Sequence, residues 1–266
     1  MLEMYIPVLM AIVFSSTTWH SPKPVYNQAY QENFAEDSIS EIISSAKNAY
    51  VLVDPFNNDG VIENIAIIKA NNNQLGGYIS AGTGEDWRDD FSALEPYLTS
   101  IVWPQWEGEF FVSETTMGIL PVMKKRIDKM ATWGLDWVEF DNMDWLDEET
   151  RVSYNLTATV AEARAYINAL CDYTHRKGMK CMAKNTVEGF ENFDGVLYES
   201  YHDEKNWWDS AGTSSFLSAG KPVIINHYNE SDCDAVYTEY QTIYHTNKIS
   251  FICEDVNTRK YRHYNE

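Results

Sequence analysis

An eight-stranded parallel (β/α)8 TIM barrel, α/β in class and built as a single domain, is the fold this sequence predicts, and three observations predict it. From about residue 25 onward, short β-rich runs alternate with amphipathic helical runs. No Gly/Ser-rich or Pro-rich linker divides the 266 residues into two units. Neither a dinucleotide-binding glycine fingerprint nor a P-loop occurs, as an open doubly wound nucleotide-binding sheet would more often show.

The strand runs, in order, are 25–30, 49–54, 77–80, 109–113, 135–141, 180–184, 195–199, 222–226 and 249–253. That makes nine, one more than a closed barrel uses, so one strand is accessory or misplaced. Between them, apolar residues recur at helical spacing: Ile39, Ile42, Ile43 and Ala46; Ile62, Ile65 and Ile68; Leu120, Met123, Ile127 and Met130; Val160, Ala163, Ile167 and Leu170. The last of these helices runs into Arg176-Lys177-Gly178, with cations at the negative end of the helix dipole and a glycine for a left-handed cap.

Residues 1–20 carry an apolar run, Tyr5 to Phe14, too short to span a bilayer but of signal-peptide length. It lacks a preceding Lys or Arg. Residues 1–20 are read as a candidate signal peptide and 21–266 as the catalytic domain, which makes a secreted or surface-exposed protein the expectation. Lys plus Arg is 20 against 40 for Asp plus Glu, a net charge of −20 and the wrong sign for a nucleic-acid partner. No membrane span and a monomer are expected. Of the four cysteines, Cys233 and Cys253 flank one predicted helix and its following strand and suit a bridge. Cys171 and Cys181 fit a bridge or packed thiols equally. With no zinc-type spacing among the Cys and His residues, neither a metal nor a cofactor is expected.

In a barrel of this class the working face is the C-terminal end of the strands. Asp54, Ser80, Asp141, Lys184 and Glu199 each close a β run. Side chains alternate along a strand, so if Val138 and Phe140 pack on helices, Glu139 and Asp141 point into the barrel. Asp141, Lys184 and Glu199 would fall on three consecutive strands, which sets Asp141 and Glu199 about 10 Å apart at the backbone and lets their side chains converge. Two such carboxylates suit a glycosidic bond, flanking it as acid and nucleophile or as acid and base. Lys184 between them favours ionised carboxylates, and Glu139, one layer deeper, reads as a partner of Lys184 or Arg88. An acid at a strand end can equally cap the next helix, and for Asp54 or Asp144 alone the two readings balance.

At these residues the chain resembles glycoside hydrolase family 114, the endo-α-1,4-polygalactosaminidase type of barrel. The likeness runs from about Tyr50 to Tyr228. It rests on Tyr50 to Asp54, Gly77 to Gly82, Glu85 to Asp90, Arg126 to Asp128, Trp133 to Asp144, Ala183-Lys184-Asn185, Phe193 to Glu199 and Gly220 to Tyr228. The resemblance implies Asp141 as nucleophile and Glu199 as acid/base. Asp54, Tyr78, Arg88, Asn142, Asp144, Lys184, Asn185 and Tyr228 would bind substrate or brace the pocket. His227, Ser200 and Ser113 depart from the family pattern and bear on which sugar is taken. The substrate implied is an amino-sugar polymer rich in galactosamine, whose free ammonium groups an acidic cleft would concentrate. Solubility alone also accounts for the acidity. A catalytically silent polysaccharide-binding barrel and a glycosidase for another polymer share these features. Trp103 to Phe111 reads as packing, and Trp207 with Trp208 as sugar contact or packing.

Overall fold

The computed structural model describes residues 22–30, 35–57, 59–113, 116–143, 148–185, 192–201, 210–243 and 248–265. The N-terminal segment, Asp144, Trp207 and Trp208 lie outside them. Strands β1 (Val25–Asn27), β2 (Tyr50–Val53) and β3 (Gln74–Ser80) come first. Next are β4 (Thr83–Glu85), β5 (Leu98–Val102) and β6 (Glu109–Val112), then β7 (Trp137–Asp141), β8 (Lys180–Lys184) and β9 (Gly195–Tyr201). β10 (Val223–Glu230), β11 (Ile249–Asp255) and β12 (Lys260–His263) complete the set. The helices are α1 (Ile39–Ser45), α2 (Asp59–Ala70), α3 (Phe91–Leu94), α4 (Thr116–Trp133), α5 (Glu148–Ser153), α6 (Val160–Arg176), α7 (Ser210–Ser218) and α8 (Cys233–Ile243).

One nine-stranded sheet runs β1-β2-β3-β7-β8-β9-β10-β11-β12, parallel throughout except for the antiparallel β11/β12 pair. Eight parallel strands in this order form a nearly closed barrel. Its seam is drawn together by side chains: Lys23 N–H donates to Ser250 Oγ at 2.9 Å, and the Tyr26 and His263 rings stack at 4.0 Å. The surplus strand of the sequence reading is 109–113. As β6 it lies in a separate sheet, β4-β6-β5, with antiparallel partners on both sides, so its backbone groups are already paired and cannot enter the barrel ladder. β1 ends at Asn27 rather than residue 30, and β10 continues past Asn226 to Glu230.

The period-two alternation sorts side chains into two cores. Val51, Val53, Val138, Phe140, Cys181, Ala183, Val196 and Tyr198 face outward and pack with Met123, Ile127, Ile167 and Leu170 of α4 and α6. Tyr50, Leu52, Trp137, Met182, Leu197, Ile224 and Ile252 fill the barrel interior. Glu139 and Asp141 therefore point inward, two and four residues above Trp137. A Cβ at Gly76, paired with Trp137 across the β3/β7 ladder, would collide with that indole, so glycine is what lets the largest interior ring seat. α6 starts on a capping box between Thr159 and Glu162 and ends at Arg176, with Gly178 at φ +79 beyond it. Disulfides join α8 to β11 (Cys233–Cys253) and α6 to β8 (Cys171–Cys181), and the second settles the pair that the sequence left open. Among the described residues, no helix is long and apolar enough to cross a membrane.

Candidate active site

β7, β8 and β9 are neighbours in the sheet, and they end on Asp141, Lys184 and, within β9, Glu199. Each stands above an apolar interior residue of its own strand: Trp137, Met182 and Leu197. The Lys184 ammonium lies 3.0 Å from Asp141 Oδ2, 3.2 Å from Glu199 Oε2 and 3.6 Å from Glu139 Oε1. Because one nitrogen touches both, Asp141 Oδ2 and Glu199 Oε2 can be no more than about 6 Å apart. The Lys184 side chain is 3% exposed, whereas those of Asp141 and Glu199 are both 15% exposed. The two carboxylates reach solvent and the lysine stays beneath them.

Burial alone would strip the proton from Lys184, but Asp141, Glu199 and Glu139 outweigh it and hold the ammonium well above the usual lysine value. Tyr30 lies over the ammonium with its ring centroid at 4.1 Å, and Tyr78 at 5.7 Å. Burial pushes Glu139 up, Lys184 pulls it back, and the charges of Asp141 and Glu199 add to the rise, leaving it at about 8. It is a buried, proton-holding partner of Lys184, one of the two roles its depth in the barrel suggested.

Glu199 is fixed at both oxygens. The Tyr228 hydroxyl donates to Oε1 at 3.0 Å, and Asn185 Nδ2 donates to Oε2 at 3.1 Å. Asn185 Oδ1 also accepts the Glu199 backbone N–H at 2.9 Å, from a residue with φ +61. Asn226 Nδ2 donates to the Tyr228 hydroxyl at 2.9 Å, which leaves that hydroxyl's proton for Glu199. Among the described residues, Asp141 has one side-chain hydrogen-bond donor, Lys184.

Asp54 and Arg88 stand apart from this group. Arg88 grips Asp54 with two N–H bonds at 3.0 and 2.7 Å and Glu85 with two more at 2.9 and 2.7 Å, all buried. Arg126 extends the network to Glu85 and Asp90. Asp54 also accepts from Phe56 N–H at 3.0 Å, so its carboxylate is fully occupied and its part is bracing. Asn142 turns Nδ2 toward Ser80 at 2.8 Å and Glu109 at 2.6 Å, while its Oδ1 takes no hydrogen bond among the described residues.

Two of the three departures from the family pattern, His227 and Ser200, face away from the barrel interior. His227 and Ser200 alternate with Tyr228 and Glu199, so they point into the helical layer, where both meet the Tyr240 hydroxyl. Ser113 donates to the Tyr97 carbonyl at 3.0 Å. Trp103 packs on buried Phe111 at 4.7 Å, although Trp106 is 41% exposed. Sequence reasoning missed Tyr30 and Glu109, the first because it follows β1 in a loop and the second because it comes from the accessory sheet. Burial, the Glu85 charge and the Asp141 charge together lift Glu109 to about 7 against the hydrogen bonds it accepts from Thr83 and Ser80.

Among the described residues, Cys171, His175 and Cys181 are the group with metal-ligand chemistry, at the opposite end of the barrel. Their two sulfurs are bonded to each other, which consumes them as ligands. The mouth brings two carboxylates and an ammonium together, a set able to supply acid, base and nucleophile chemistry.

The model of Glycoside-hydrolase family GH114 matches residues 14–265. No curated protein matches the sequence. Among solved structures the chain is similar to Ega3 of Aspergillus fumigatus, determined in complex with galactosamine. The TM-score is 0.67 at 19% identity, covering 93% of this chain and 96% of that one. It is also similar to the glycoside hydrolase domain of PelA from Pseudomonas aeruginosa, with a TM-score of 0.61 at 14% identity over 88% and 95% of the two chains. Isomaltulose synthase from Klebsiella sp. LX3 follows at 0.52 and 8%, covering 86% and 63%. Identities this low carry the fold alone.

Proposed function

The chain belongs to glycoside hydrolase family 114 and is a glycosidase; on that premise we propose that it cleaves an α-linked, galactosamine-rich polymer with retention of configuration. Asp141 attacks the anomeric carbon while Glu199 protonates the leaving oxygen. Water, deprotonated by Glu199, then releases the sugar from Asp141. The observation that carries this reading is the single ammonium shared by Asp141 and Glu199. It keeps Asp141 Oδ2 and Glu199 Oε2 within about 6 Å of each other, a closeness that favours the 5–5.5 Å spacing of covalent double displacement over the 6.5–9.5 Å spacing that leaves room for a water. Lys184 lies below both carboxylates and leaves the cavity side to the sugar.

A cationic polymer is supported by where the acids stand. Asp141 and Glu199, each 15% exposed at the mouth, share one buried ammonium and so leave net negative charge there. The galactosamine in the related Ega3 structure is of the same chemical class. Two disulfides support an oxidising, extracytoplasmic setting. The test is incubation of the purified protein with deacetylated galactosamine polymer, its N-acetylated form and a neutral polymer, with fragment length read by mass spectrometry. Shortening of the deacetylated polymer first and fastest is expected. Equal cleavage of the neutral polymer would remove the cationic substrate, and no cleavage of any would remove the glycosidase reading in favour of a silent binder.

A further inference from the structure

We propose that Glu109, delivered by the accessory sheet and not by the barrel, is a positioning residue for Asp141 that acts through Asn142. The inference rests on Asp141 being the nucleophile. Asn142 is the next residue after Asp141 and turns the chain with φ +57, a left-handed conformation that asparagine tolerates better than most side chains but that needs an anchor. The anchor is its amide: Nδ2 donates to Glu109 Oε1 at 2.6 Å and to Ser80 Oγ at 2.8 Å. The Thr83 hydroxyl donates to the same Glu109 oxygen. On the other side, Ala81 N–H donates to the Asp141 carbonyl at 2.9 Å, so the bend after β7 is stitched to the bend after β3. Asp141, held at its carboxylate by Lys184, depends on this bend for the direction from which its side chain leaves the backbone.

The placement of Glu109 has the marks of a constrained group. In the β4/β6 ladder Glu109 stands directly opposite Glu85, a like-charge pairing that costs stability unless it is neutralised. Arg88 and Arg126 neutralise Glu85. Glu109 has no cation of its own among the described residues. It faces Glu85 from β4, Asp141 from β7 and Tyr78 from β3, and meets the hydroxyls of Ser80 and Thr83. A leucine here would remove the repulsion and also the acceptor for Asn142. Its proton comes off near 7, so both its states fall within the range in which turnover can be measured.

The experiment measures kcat and KM across pH 5 to 9 for the wild type, Glu109→Ala, Glu109→Gln, Asn142→Ala and the Glu109→Ala/Asn142→Ala double variant, with D141N as control. Misplacing a reacting group by about 1 Å costs on the order of 100-fold, so Glu109→Ala should lower kcat about 10- to 100-fold with KM within about twofold. Glu109→Gln keeps an acceptor for Asn142, so it should stay within about threefold of wild type and lose the ionisation near 7. Asn142→Ala should fall as far as Glu109→Ala, and the double variant no further than the worse single one. If Glu109→Ala does not fold, Glu109→Gln and Asn142→Ala carry the test. A folded Glu109→Ala with wild-type kcat and pH profile, or losses that multiply in the double variant, would overturn the link while an inactive D141N leaves the parent reading standing. A fully active D141N would bring down that reading and the link with it.

Discussion

At the floor of the barrel, β7 begins on Trp137, β8 on Lys180 and β9 on Gly195, and the interior is filled by Tyr50, Trp137, Met182 and Leu197. Charges near that end sit at its margin in partly exposed pairs, such as Lys69 with Asp136 at 2.8 Å, each 32% exposed. At the mouth the same strands carry Glu139, Asp141, Lys184 and Glu199, with one ammonium among three carboxyls and no side chain in the group more than 15% exposed. The two ends are a few residues apart along each strand. One is an ordinary packed core, worth roughly 25 cal/mol for each Å² of apolar surface buried. The other is a like-charge cluster that no isolated peptide would hold. The ladders fixed at the floor hold the carboxylates close at the mouth, where repulsion would otherwise separate them.

That contrast is sharpest when the mouth is changed one atom at a time. Asp141→Asn and Glu199→Gln should each lower turnover by about a thousandfold or more while thermal melting stays near wild type. An aryl glycosamine with a good leaving group separates the roles, because it needs no proton in the first step. Such a substrate should recover cleavage in Glu199→Gln and not in Asp141→Asn. Lys184→Met removes the ammonium and should cost about 100-fold in kcat, with a larger loss of melting temperature at pH 8 than at pH 5, since ionised acids are then left without their cation.

Stability effects follow in size. Arg88→Ala strands buried Asp54 and Glu85, and urea unfolding should show a loss of about 3–5 kcal/mol. At the edge of the barrel, Cys233→Ser with Cys253→Ser should lose about 2–4 kcal/mol, with activity per folded molecule unchanged. An equal loss of kcat would mean that the α8/β11 side reaches the mouth. The remaining effect is one of pH. In the folded chain Glu139 holds its proton to about 8, against an ordinary 4.5, so the folded state binds the extra proton between those values. Stability therefore falls as pH rises through about 4.5 to 8 and levels off above it. Glu139→Gln should flatten that fall, read as a melting temperature that changes less between pH 5 and pH 8 than in the wild type.

How much of this was legible follows from the same contrast. Trp137, Glu139 and Asp141, with Val138 and Phe140 between them, declare one inward and one outward face by period alone. Strand order then brings Lys184 and Glu199 alongside. The surplus strand was legible as a surplus but not as residues 109–113, because β6 pairs with β4 and β5 through backbone contacts that no side-chain pattern records. β12 went unseen because Lys260, Tyr261, Arg262 and His263 lack an apolar face, although Tyr261 reaches into the interior core and meets Asn27. For Arg88 the resemblance leaves pocket lining and bracing open, and its four hydrogen bonds to Asp54 and Glu85 fit the bracing. The resemblance ties the departures at Ser200 and His227 to the choice of sugar, yet alternation turns both toward Tyr240.

The proposed retention through two carboxylates is tested most directly by proton NMR of a galactosamine oligomer during the first moments of cleavage, before mutarotation. The α-anomer of the new reducing end should appear first, and Asp141→Asn should give no new anomeric signal on the same timescale. A β-anomer appearing first would replace the covalent step with attack by water, and an unchanged spectrum with the wild-type protein would contradict the account at its centre.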